Sequence, residues 1–221
     1  MIISLVYNMV DTYFIAQTGN TNLIAGVSLG APIFTFMIAI GDIFGLGGSS
    51  VISRLFGEKR DDDGKRLSAF CFYASLFCGI FITILMMLFK NPILNLLGAD
   101  SETYYHASQY YTYIVLGAPA IILYFTPTNL LRTEGFATAS MKGSILGSVV
   151  NIILDPIFIQ VLGMGAKGAA IATVIGNVCA DAYYIWFLLR KSKRLSVNFK
   201  NKGKSSRIKE YLNYRYSCIH N

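Results

Sequence analysis

A length of 221 residues with 54% hydrophobic and 14% charged residues, and a mean hydropathy of +0.50, excludes an ordinary soluble domain and describes a polytopic membrane protein. The net charge of +7 and pI near 9.2 would suit a nucleic-acid partner. The Lys and Arg residues, however, are concentrated between and after apolar runs, where charge sets topology, so the partner implied is the lipid bilayer and no nucleic acid is expected.

Residues 1–16 read as a first membrane helix that starts late, since at ~1.5 Å per residue they cover only ~24 Å of a ~30 Å hydrocarbon core. They lack the basic leading region of a cleavable signal peptide. A second span follows over residues 23–50, where Gly26/Gly30 and Gly41/Gly45 repeat at a spacing that lets helices approach, and where Pro32 predicts a bend. Residues 54–66 read as a charged loop, with Asp61, Asp62 and Asp63 a solvated turn rather than a metal site. The third span covers 67–89, and 90–102 forms a loop with room for a short surface helix. The fourth, 103–131, opens on Tyr104, Tyr105, Tyr110, Tyr111 and Tyr113, read as an interfacial belt. Pro119 and Pro127 interrupt this span, and Thr126, Thr128 and Asn129 can re-satisfy the freed backbone. Residues 132–142 are the next loop, the fifth span runs to Leu162, residues 163–168 turn tightly, and the sixth span ends near Leu189. The expected fold is all-α. It comprises a six-helix transmembrane bundle over 1–190, truncated at the start of its first helix, and a basic cytoplasmic tail over 191–221, disordered or aberrant. Cys71, Cys78, Cys179 and Cys218 show no paired spacing, and three of them lie in apolar spans as small hydrophobes do.

Seventeen of the nineteen Lys and Arg residues fall in the 54–66 and 132–142 loops and in the tail from Arg190 onward, leaving only Lys90 and Lys167 for the other side. The positive-inside rule then makes the first set cytoplasmic, C-terminus included, and the plasma membrane is the expected location.

With that topology, residue counts give depth. Asp11, Asp155 and Thr173 each lie six or seven residues inside the outer ends of the first, fifth and sixth helices, ~9–10 Å deep, with Asn151 and Tyr7 one turn deeper. Asn151 and Asp155 share a helix face, and Pro156 frees the carbonyl of Ile152 beside them. No Lys or Arg lies at that level. Two carboxylates in a low dielectric cannot both stay ionised without compensation, so this slab takes up a proton or binds a cation. Ligands that are all oxygen favour a hard cation such as Na+ over a transition metal. Asp11, Asn151, Asp155 and Thr173 are therefore the expected Na+ or H+ coupling residues, with no other metal or cofactor. The structural alternative makes Asp11 a helix cap and Asp155 a hydrogen-bonding partner of a neighbouring helix. Asp42 and Asp181 share a second level, ~12 Å from the cytoplasmic helix ends, where they either line an inward cavity or reach the interface. Glu134 beside Arg132 reads as an ion pair at the cytoplasmic boundary.

No catalytic residue is expected. Gly163-Met164-Gly165-Ala166-Lys167-Gly168 matches the glycine pattern of a dinucleotide-binding turn, but the run before it is too long for a strand and Asp181 comes too early for a ribose contact. Gly45-Leu46-Gly47-Gly48-Ser49-Ser50 lacks the lysine of a phosphate-binding loop.

Taken in order, Val10-Asp11-Thr12, Ser53-Arg54-Leu55-Phe56-Gly57, Arg132-Thr133-Glu134-Gly135, residues 151–158, Leu162-Gly163-Met164-Gly165 and residues 168–173 resemble the multidrug and toxic compound extrusion (MATE) transporters. The resemblance covers residues 5–190. It implies one lobe of a twelve-helix protein whose two six-helix lobes face a central cavity. The implied activity is antiport coupled to Na+ or H+, exporting drugs and other amphiphilic, often cationic, organic compounds. It also implies the coupling set Asp11, Asn151, Asp155 and Thr173, with Tyr7 and Asn129 as weaker candidates beside the Asp42 and Asp181 that depth singles out. Because residues 211–221 do not resume a hydrophobic run, the expected partner is a missing C-terminal lobe or a second six-helix chain. Two other readings stay open: a lipid-linked oligosaccharide flippase of the same superfamily, against which the lack of Lys and Arg inside the spans counts, and a non-functional remnant of a transporter gene.

Overall fold

The computed structural model describes residues 13–192 and residue 195; Tyr7, Asp11 and the tail from residue 196 lie outside the described residues. Of the expected first span, only residues 13–17 are described as helix. The elements that follow are α1 (Thr21–Ser28), α2 (Ala31–Gly57), α3 (Asp61–Leu88), α4 (Lys90–Leu96), α5 (Tyr104–Leu116), α6 (Ala118–Thr133), α7 (Ala137–Pro156), a π-helical turn (Ile157–Val161) and α8 (Gly165–Lys191). The described residues contain no strand. Among the described residues, four helical segments are long and apolar enough to cross a membrane, and α5 with α6 makes a fifth, bent by 51°.

Local chemistry accounts for the element ends. Asn20 caps α1, its Oδ1 accepting from the N–H groups of Asn22 at 3.0 Å and Leu23 at 3.2 Å. Pro32 lies in the first turn of α2, where a missing N–H loses no helical bond, so it starts a helix after the break at Leu29 and Gly30 instead of bending one from within. The same logic puts Pro119 in the first turn of α6, just past the bend.

The connections at the basic end are shorter than the charge pattern predicts. Residues 58–60 join α2 to α3, and 134–136 join α6 to α7. Asp61, Asp62 and Asp63 are the first turn of α3 and not a solvated loop, because free N–H groups and the helix dipole favour carboxylates there. Arg60 ties that turn down, its Nη2 2.8 Å from Asp63 Oδ2. The tyrosines of α5 also divide. Tyr105 faces outward, whereas Tyr110 and Tyr111 are core, Tyr111 donating its hydroxyl to Met86 O at 2.6 Å.

At the centre stands α6, packed against α2, α3, α7 and α8. It meets α2 through Ile122, Phe125 and Asn129, and α8 through Tyr124, whose ring lies 5.8 Å from that of Tyr184. Met37, Ile114, Ile121 and Ile122 fill the interior towards α5, while Ile52, Leu131 and Tyr184 fill it towards the basic end. The outer surface carries Phe77, Leu88, Ile153 and Leu189, as a lipid-facing surface requires.

Candidate cation site between α7 and α8

Along α7 the buried residues Gly143, Gly147, Asn151 and Asp155 recur every four positions and form one line. Across from them α8 presents Thr173, Gly176, Ala180 and Tyr184. A Cβ added to Gly147 would lie 2.9 Å from Gly176 O, and one added to Gly176 would lie 2.7 Å from Gly147 O. The two backbones touch there, which only glycine on both sides permits. That contact carries Asn151 up against Thr173.

Asn151, Asp155 and Thr173 are 2%, 0% and 4% exposed. Asn151 Nδ2 lies 3.4 Å from Asp155 Oδ1 and 3.5 Å from Thr173 Oγ1. With the amide turned over, both of its ends are better satisfied: the nitrogen donates to Asp155 Oδ2 at 3.1 Å and the oxygen accepts from the Thr173 N–H at 3.1 Å. Thr173 Oγ1 donates to Ala169 O at 3.0 Å, and Asn177 Nδ2 donates to Thr173 O at 2.9 Å. Directly after Asp155 the helix widens. Pro156 has no N–H to continue the α-ladder, and the Leu162 N–H reaches back five residues to Ile157 O at 2.9 Å.

The groups that meet at this point are a carboxylate, a side-chain amide whose nitrogen faces that carboxylate, and a hydroxyl, which as hard donors suit a hard cation better than a soft metal. Lys167, in the first turn of α8, sits over the Tyr113 ring, 5.3 Å from its centroid.

Of the residues singled out in the sequence, the structure brings together Asn151, Asp155 and Thr173. Asp11 and Tyr7 lie outside the described residues. Asn129 belongs elsewhere: its Nδ2 donates to Phe125 O at 2.9 Å and lies 3.4 Å from Asp42 Oδ1, pairing α6 with α2. Asp42 is half-buried beside it. Asp181 is 5% exposed on α8. What sequence reasoning missed is Gly143 and Gly147, although they repeat at the four-residue spacing of Asn151 and Asp155 and could have been found by extending that line backwards.

The MatE family profile matches residues 1–157. Multidrug export protein MepA of Staphylococcus haemolyticus is 36% identical over 200 residues, and MepA of Staphylococcus aureus strain NCTC 8325 is 34% identical over 199. These alignments take in 90% of this chain and 44% of each relative, so the chain spans less than half the length of the curated relatives it matches. Among solved structures, a MOP superfamily transporter from Pyrococcus furiosus superposes with a TM-score of 0.88 at 30% identity, over 95% of this chain and 46% of that one. The outward-facing conformation of a multidrug resistance MATE family transporter gives 0.88 at 30% identity, and an inward-facing conformation 0.84 at 30%. They cover 95% and 92% of this chain, and 47% and 46% of theirs. A profile match over most of the chain, together with a shared fold, makes this protein a member of the MatE family of membrane transporters.

Proposed function

We propose that this chain is the cation-binding lobe of a drug exporter, in which Na+ or H+ taken up between α7 and α8 drives release of an amphiphilic organic compound across the plasma membrane. The observation that carries the reading is the closed cluster of Asn151, Asp155 and Thr173, three oxygen-bearing side chains fully inside the lobe. Asp155 holds the charge of the cation or the proton itself, Asn151 orients it from one turn away, and Thr173 supplies the contact from the neighbouring helix. The multidrug export activity named for MepA, a relative of which this chain spans 44%, supports the substrate class. The reading includes no enzymatic step. A second six-helix lobe completes the substrate cavity, and the tail lies on the cytoplasmic side.

Inverted membrane vesicles from cells producing the chain together with a C-terminal MatE lobe test the proposal. Ethidium uptake should follow an imposed Na+ or H+ gradient and be lost in Asp155→Asn. Uptake that is unaffected by Asp155→Asn would remove the coupling role.

A further inference from the structure

We propose that Asp181 is a second proton-binding site of the lobe, set in the inner half of α8 and separate from the Asn151–Asp155–Thr173 cluster. Asp181 is 5% exposed, and both of its carboxylate oxygens are enclosed with no hydrogen-bond partner among the described residues. No ion pair among the described residues reaches it. A bare carboxylate in that position would have given up its water with nothing in exchange, which strongly disfavours the charged form. A carboxylic acid avoids that cost.

The surroundings support a proton over a metal or an organic cation. Besides Asp155, the titratable groups on helices packed against α8 are Tyr124 and Arg132 of α6, Lys142 of α7, and His106 with Tyr104, Tyr105, Tyr110, Tyr111 and Tyr113 of α5. The π-helical turn and α1 contribute none. Arg132 is engaged, its Nε donating to Ser140 Oγ at 3.0 Å, and Lys142 is exposed. The α5 groups all precede Gly117, which packs on Val174, two turns further out on α8 than Asp181. Tyr124 donates to Ser144 Oγ at 2.9 Å, and Tyr184, one turn inward of Asp181, donates to Ser140 O at 2.9 Å. No second carboxylate from these helices joins Asp181 to build a metal cage.

Thr173, Asn177, Asp181 and Tyr184 follow one another by four, four and three residues, so they share one face of α8. This polar line runs from the outer cluster to the Tyr124, Ser144 and Tyr184 hydroxyls. In the proton uptake step, hydronium at the inner end loses one O–H bond and becomes water while one Asp181 oxygen gains that proton, forming an O–H bond and a neutral acid; release reverses it.

The test is infrared spectroscopy of the full chain in lipid, carrying aspartate labelled with carbon-13 at the side-chain carboxyl. In Asp155→Asn, which removes the outer carboxylate, a labelled protonated-acid carbonyl band should remain at neutral pH. It should disappear when Asp181→Asn is added. Where that double variant does not fold, Asp181→Glu in the same labelled background keeps an acid in place and should move the band to the unlabelled position. A band that neither vanishes nor moves, or the lack of any protonated-acid band in Asp155→Asn, would overturn the proposal. Neither outcome bears on the coupling role of Asp155, which the vesicle assay reads separately.

Discussion

Asn151 is the residue on which the α7–α8 cluster turns, because it meets both other members. Replacing it with Ala removes the amide that meets Asp155 and Thr173 and leaves a buried acidic group short of a donor, a loss of about 1–3 kcal/mol. Thermal unfolding in mild detergent should show that loss for Asn151→Ala and a smaller one for Thr173→Ser, which keeps the hydroxyl. At this scale the sequence was informative where spacing decided the answer. Asn151 and Asp155 sit four apart in an apolar run, and a depth count placed Thr173 level with Asp155 without any coordinates. Pairing across helices was less legible. Nothing in the sequence joins Asp42 to Asn129, residues 87 apart, because that contact depends on how α2 and α6 rotate against each other. The burial of Asp181 was hidden for the same reason: a depth count gives level but not facing.

Between elements, the contact that matters is the glycine crossing of α7 and α8. Gly147→Leu would push a side chain into Gly176 O, a rigid backbone atom 2.9 Å from the new Cβ, and the helices would have to part. The expected cost is about 1–3 kcal/mol, and the cluster one turn away should open with it. Gly47→Ala is the matched control. It sits inside α2 with nothing within 4 Å of an added Cβ, so it should stabilise by up to ~1 kcal/mol through helix propensity. Both values are read from the unfolding midpoints of the purified variants. The helices themselves were largely legible from hydrophobic length, and Pro119 marked the bend between α5 and α6. The connections at the basic end were not, since charged residues at 61–66 read as loop although the start of a helix stabilises carboxylates equally well. The tyrosines of α5 misled for a related reason. A phenol suits an interface, but Tyr111 finds its partner in the carbonyl of Met86 and so can be buried.

As a whole molecule, the lobe is a bundle organised around α6 with apolar side chains on its outside. The distribution of Lys and Arg predicts its orientation in the bilayer, and that expectation is open to a direct check. In a variant with its four cysteines replaced, a thiol introduced as Ser101→Cys should react with a membrane-impermeant maleimide added outside intact cells. One introduced as Ser205→Cys should react only after the membrane is permeabilised. Labelling of Ser205→Cys from outside would invert the assigned topology and, with it, the depth of every candidate residue.

The cluster between α7 and α8 as a cation site is tested most directly by ligand-dependent stability. The purified chain is unfolded thermally at increasing Na+ with ionic strength held constant, then at decreasing pH without Na+, beside Asp155→Asn treated identically. A cation bound only by the folded state raises the midpoint with concentration in a saturable way. The account predicts that at least one of the two titrations raises the midpoint of the unaltered chain and that this rise is smaller in Asp155→Asn, where on lowering the pH Asp181 still takes up a proton. Equal rises in both proteins, or no response of the unaltered chain to either cation, would contradict it.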